Sequence, residues 1–317
     1  MWEGHLMKVA RNFLEMIGNT PVLRLTKVIP PNVKAEIWGK CEFTNPSGSV
    51  KDRIAMYMIR AAEKKGLRKS RTLIVPTTGN TGIAFASVGA YMGYKVAIVM
   101  PEGMSEERKK IIRSYGAEIM FTPGSESAAD KSMNLAVRLA REQPERYYFF
   151  DQWDDEANVQ AHYETTGKEV LEQIGKVDLI VAGIGTGGTL VGTAKRLKEA
   201  NPKTIAIAME PEECPFFAKG TSGSHEIEGI GDGFIPNIVK KYRQLIDGSA
   251  LVSSRDAISW AKRLAKDEGL FVGISSGANV LAAIDMTRKY KLGEGKKVLT
   301  FLVDYGARYL STKLVAP

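Results

Sequence analysis

The 317-residue chain predicts an α/β fold built from two parallel-sheet units with a cleft between them. Three observations lead there. Short runs rich in β-branched and aromatic residues alternate with stretches of helical periodicity. The alternation occurs twice, on either side of a polar stretch at residues 151–158, with no repeat, low-complexity tract or flexible linker. Three glycine-rich segments each stand at the start of a helix, where helix N-termini hold anionic ligands.

The first helix is expected in "NPSGSVKDRIAMYMIRAAEKKG", residues 45–66, with Ser49 as N-cap, Asp52 three residues on, and apolar positions at Ile54, Met58, Ala61 and Ala62. Lys51 then falls in the first turn, where free N–H groups disfavour a cation by about 0.3–1 kcal/mol. Strands follow at "TLIVP" (72–76), "KVAIVM" (95–100), "AEIMFT" (117–122) and "RYYFF" (146–150), separated by helical patterns at 105–115 and 128–142. The second series comprises "VDLIVAG" (177–183), "TIAIAME" (204–210), a helix at 255–268 and "VLTFLVD" (298–304). Such βαβα alternation implies parallel strands covered by helices on both faces.

Composition excludes several classes. With 44% hydrophobic and 25% charged residues the chain can bury a core for two domains. Residues 1–12 lack the apolar core of a signal peptide, and no run of 18 apolar residues occurs, so neither export nor a membrane is expected. Cys41 and Cys214 form no CxxC pair, which fits a reducing cytoplasm. His5, His162 and His225 are isolated, so no metal site is expected. The net charge of +8 is spread through helices beside glutamates, as in "EERKK" and "AKRLAKDEG", which does not suggest nucleic acid as partner.

The chemistry lies in the glycine-rich segments. In "GIGTGG", Gly183, Gly185 and Gly188 spell GxGxxG between strand and helix, and Glu210 ends the next strand where a ribose-binding acid belongs. That pattern fits a nicotinamide dehydrogenase. The same amides would hold any phosphate, and Thr186 and Thr189 add hydroxyls suited to a phosphate monoester. In "PTTGNTGIAFA", Thr77, Thr78, Asn80 and Thr81 crowd polar groups onto a helix start, more than a cap requires, which suits a carboxylate. In "GISSGANVLAA", Ser275 or Ser276 could bond a ligand or cap the helix.

Together these segments resemble the cysteine synthase group of pyridoxal-phosphate (PLP) enzymes, which includes cystathionine β-synthase cores. The matching stretches are "NPSGSVKDR", "TTGNTGIA", "MPEGMSEERKK", "HYETTGKEV", "GIGTGGTL", "EGIGDGFIP", "GISSGA" and "RYLST", in family order across residues 17–312. The resemblance implies the fold-type II PLP architecture. In it, 46–151 would form a smaller, mobile domain, and 1–45 plus 152–317 a larger domain holding the cofactor phosphate. It implies that Lys51 forms the Schiff base to PLP, and that Asn80 bonds the cofactor's ring oxygen. Gly185, Thr186, Gly187, Gly188 and Thr189 would hold its phosphate, and Ser275 would face the pyridine nitrogen. Thr77, Thr78, Thr81 and Gln152 would bind the substrate carboxylate. The odd placement of Lys51 then makes sense, because only an uncharged amine attacks an aldehyde and a helix N-terminus disfavours the ammonium.

A neutral serine at the ring nitrogen makes the cofactor a shallow electron sink, which favours prompt loss of a β-substituent. The implied activity is formation of L-cysteine from O-acetylserine and sulfide, most like O-acetylserine sulfhydrylase. Three departures qualify the match. Thr78 stands where serine is usual, and Tyr305 and Ala307 in "VDYGARYLST" alter the segment near the ring. Asp232 in "EGIGDGFIP" introduces a carboxylate that could take the proton from a thiol or water. It opens an alternative activity, a cystathionine β-synthase-like enzyme acting on cysteine or serine, including release of hydrogen sulfide. The resemblance further implies a cytoplasmic homodimer with amino-acid and sulfide or thiol substrates, and serine acetyltransferase as a partner.

Overall fold

The computed structural model describes residues 9–124 and 129–315. His5 and Ala128, the first residue of an expected helix, lie outside them. Ten strands are described: β1 (Val22–Arg24), β2 (Glu36–Cys41), β3 (Thr72–Pro76), β4 (Val96–Pro101), β5 (Glu118–Thr122), β6 (Tyr147–Phe149), β7 (Leu179–Gly183), β8 (Ile205–Pro211), β9 (Gly248–Val252) and β10 (Lys297–Leu302). The helices are α1 (Lys51–Lys64), α2 (Asn80–Tyr91), α3 (Glu106–Ser114), α4 (Ala129–Glu142), α5 (Glu156–Ala161), α6 (Gly167–Ile174), α7 (Gly188–Ala200), α8 (Phe216–Lys219), α9 (Asn237–Lys241), α10 (Ser254–Glu268) and α11 (Ile274–Lys289).

The strands form a four-stranded sheet in the order β5-β4-β3-β6 and a six-stranded sheet in the order β1-β2-β10-β7-β8-β9. All pairings are parallel except β1 with β2. Their side chains serve both faces. In the small sheet Leu73, Val75 and Ile98 join the core packed under α1 and α2, whereas Ile74, Ala97 and Val99 pack beneath α4. In the large sheet Leu179 and Val181 belong to one cluster, and Ile180 and Ala182 to that on the α7 side. Burial on both faces explains why these strands read as unbroken apolar runs.

The expected strands and helices form within one or two residues of their expected ends. β1, β2 and β9 extend the large sheet beyond what apolar runs marked. β2 contains Lys40, fully buried because its ammonium pairs with Glu169 at 2.7 Å. At the head of α1 the expected capping box is replaced. Ser49 Oγ accepts the Lys51 N–H at 3.3 Å, but Asp52 turns back to the N–H and hydroxyl of Ser47. Two residues past Lys51, the fully buried Arg53 guanidinium bonds Glu42 and Glu169, pinning α1 to the turn after β2 and to α6. Burying such a network is costly unless every partner is present. The carboxylate of Glu169 is accordingly held down at about 2, against the effect of burial, chiefly by its bonds to Arg53.

Candidate active site

The C-terminal ends of both sheets open on one cavity, the usual position for ligands in open α/β sheets. Asp232 and the residues that the resemblance assigns to cofactor and substrate line it, except Gly188, which follows Gly187 at the start of α7. Lys51 enters from the first turn of α1. Its amine lies below the ordinary lysine value, mainly because of burial, with the carboxylates of Asp232 and Asp304 pulling the other way. Desolvation thus adds to the effect of the helix end that the sequence pattern points to.

The segment from Gly185 to Thr189 wraps the N-terminus of α7. Gly187 has φ +83°, and a Cβ there would meet Val239 Cγ2 at 2.3 Å; a Cβ at Gly185 would lie 2.9 Å from the Gly229 carbonyl oxygen. The backbone can present its N–H groups in this shape only without side chains. Asn158 Nδ2 donates to Thr186 Oγ1 at 3.1 Å, and His162 Nε2 lies 3.2 Å from Thr189 Oγ1.

On the facing wall Thr77 Oγ1 accepts the Gly79 N–H at 3.0 Å, and Thr81 Oγ1 donates to Gln152 Oε1 at 2.6 Å. Asn80 donates to Asp304 Oδ2 at 2.7 Å and accepts from Arg308. Asp304 also accepts from Tyr309 Oη at 2.7 Å, and its buried Oδ1 has no protein partner. Ser275 and Ser276, equivalent in the sequence, part here. Ser276 Oγ accepts the Val303 N–H at 2.9 Å, while Ser275 faces the cavity. Tyr305 is half exposed and meets Phe271 edge-on at 5.7 Å.

Asp232 lies in the cavity wall and accepts from Trp153 Nε1 at 2.7 Å. Burial pushes its carboxyl above the usual range, opposed by Trp153, Lys51 and His225. Trp153, Asp304, Arg308, Asn158 and Glu228 were missed as site residues. One signal was legible: Trp153 follows Gln152 directly, and Asp304 follows the C-terminal end of β10. Glu210, the acid expected of a nicotinamide site, instead accepts the N–H groups of Phe217 and Ala218 at 2.7 and 2.9 Å and is buried. Both its oxygens are thus engaged by backbone within the protein.

These features fit PLP. A glycine cradle at a helix N-terminus suits its phosphate, the depressed lysine suits its aldehyde, and the neutral hydroxyl of Ser275 faces the same cavity. Residues 13–304 match the family model described as pyridoxal-phosphate dependent enzyme. The chain belongs to this family. Among relatives of the pyridoxal-phosphate dependent family, cysteine synthase of Staphylococcus aureus is 43% identical over 312 residues, covering 97% of each chain. The crystal structure of a cysteine synthase from Entamoeba histolytica has a TM-score of 0.92 at 36% identity, covering 99% of this chain and 93% of that one. The O-acetylserine dependent cystathionine β-synthase from Helicobacter pylori has a TM-score of 0.91 at 38% identity, covering 98% of this chain and all of the other. The chain is thus a PLP enzyme of cysteine synthase type. Among the described residues no helix is long and apolar enough to cross a membrane.

Proposed function

We propose that this chain catalyses PLP-dependent β-replacement, forming L-cysteine from O-acetylserine and sulfide. The observation that carries the reading is one cavity holding a depressed lysine between two anion-binding helix starts. When bound, PLP would supply an aldehyde reactive toward amines and an electron sink for charge developing at Cα. The Gly185–Thr189 cradle would hold the cofactor phosphate, and Ser275 would meet its ring nitrogen without lending it charge. Thr77, Thr78, Thr81 and Gln152 hold the substrate carboxylate. Lys51, once its amine is free, moves the Cα proton.

A second reading draws on Asp232. Its raised carboxyl stands across the cavity from the carboxylate loop, suited to accept a proton from an incoming thiol or water. That favours a cystathionine β-synthase-like activity on cysteine or serine, with release or exchange of sulfide. The H. pylori relative, which by name pairs O-acetylserine with cystathionine formation, joins the two readings. We infer as well that residues 46–151 act as the smaller, mobile domain against 1–45 plus 152–317, supported by the division of the sheets. Arg53 keeps Lys51 tied to the larger part. The chain works as a cytoplasmic homodimer, with serine acetyltransferase as its candidate partner.

The test is a panel of O-acetylserine, O-phosphoserine, serine and cysteine, each with sulfide and with homocysteine. O-acetylserine with sulfide should be the best pair. Asp232→Asn should slow homocysteine about 10- to 100-fold and sulfide, already largely ionised, much less. The wild-type homocysteine rate should rise with pH through a carboxyl value above the ordinary range, and that limb should vanish in the variant. Equal losses with both nucleophiles would show that Asp232 organises its loop; turnover only of cysteine or serine would favour the second reading.

A further inference from the structure

The stretch HYETT belongs to the matching motifs, yet none of its residues lines the cavity. It forms a single π-helical turn, His162–Thr166, between α5 and α6. Such turns redirect side chains and recur at functional sites. This one presses against α7 at very short range. A Cβ at Gly192 would lie 2.3 Å from the Val159 carbonyl oxygen and 2.7 Å from His162 Cβ, and one at Gly188 would lie 1.9 Å from Asn158 Oδ1. Glycines one turn apart on α7 therefore admit the segment directly behind the anion cradle.

Two side chains cross that contact. Asn158 Nδ2 donates to Thr186 Oγ1, which also accepts the Gly188 N–H at 3.3 Å. His162 Nε2 lies 3.2 Å from Thr189 Oγ1, and its Nδ1 lies 2.9 Å from Thr166 Oγ1. His162 and Thr166 are buried, and at 2.9 Å the Thr166 hydroxyl can donate its proton to Nδ1. In that arrangement Nδ1 is bare, Nε2 carries the hydrogen, and Nε2–H donates to Thr189. Both cradle hydroxyls thus accept from behind and keep their own protons for an anion in front. Burial, then the charges of Arg53 and Lys51, hold the imidazole well below its ordinary pKa, so it stays neutral. On its other side the same turn meets α1, where Thr165 Oγ1 accepts from Arg53 Nη1 at 2.9 Å.

We propose that Asn158 and His162 are positioning residues for the cofactor phosphate, fixing the rotamers and proton direction of Thr186 and Thr189, with His162 as the neutral Nε2–H tautomer. The inference rests on the reading of Gly185–Thr189 as the phosphate cradle. It is tested with His162→Leu, which cannot donate, and His162→Gln, whose amide nitrogen can stand near the position of Nε2. In PLP titrations of the apoenzyme, His162→Leu should raise Kd about 10- to 100-fold and His162→Gln less than about threefold. The 31P resonance of bound PLP should shift in His162→Leu only, and inorganic phosphate should bind the apoproteins in the same order. Unchanged affinity and 31P signal in His162→Leu would overturn the proposal. So would equal weakening by both variants with equal loss of apoprotein melting temperature, which would mark a packing role. Nitrogen NMR of the histidine rings in unmutated holoenzyme provides a test that needs no variant: a neutral ring protonated on Nδ1 would contradict it. Wild-type protein that binds neither PLP nor phosphate would instead overturn the cradle reading.

Discussion

The cavity is closed by two loops of one local design, strand, glycine turn and helix start, which are held in opposite ways. The Gly185–Thr189 loop is backed by tight packing within its own half. Val239, Asn158 and His162 press on it at distances that leave no room for a Cβ at Gly187, Gly188 or Gly192. The Thr77–Thr81 loop leans on polar and charged side chains from distant segments. Arg308 and Asp304 hold Asn80, Gln152 holds Thr81, and the Arg108 side chain fills the space beside Gly79 while pairing with Glu228 on the cavity wall. Close packing is rigid and has one arrangement, whereas polar contacts can be exchanged. The first suits a resident cofactor and the second a substrate that arrives and leaves.

The largest expected effect that tests this contrast comes from Gly187→Val. It places a β-branched residue at φ +83° against Val239, a strain of about 3 kcal/mol that should weaken PLP binding roughly 100-fold or more, measured as cofactor retained after dialysis. Retention of PLP would show that the cradle yields. Thr78→Ala should leave PLP affinity intact while raising the KM for O-acetylserine about tenfold, the loss of one hydrogen bond to a charged group. Equal loss of PLP from both variants would erase the division between the loops.

The sequence made legible those parts of the fold and site whose cause is local. β3, β4, β7, β8 and β10 are buried on both faces and read as apolar runs. β2 did not, because Glu36, Gly39 and Lys40 interrupt it, and Lys40 is buried through partners far away in the chain, among them Glu169, 129 positions on. β1 is three residues long and mostly exposed, and β9 begins with glycine and serine. The same limit holds for the site. Its motif residues stand in short contiguous stretches, which the family resemblance could mark. Their supports, Asp304 for Asn80, Trp153 for Asp232 and His162 for Thr189, depend on which segments folding brings together. His162 shows this best: it reads as an isolated histidine and gains a role only from α7 packed against the π turn.

The central claim is that Lys51 is the residue joined to PLP. Borohydride reduction of the purified protein, followed by peptide mass analysis, tests it most directly. The expected result is absorbance near roughly 410 nm before reduction and one pyridoxyl group, found on the peptide containing Lys51 and absent from Lys51→Ala. A colourless protein that releases no PLP on denaturation, or a label on any other lysine, would contradict it.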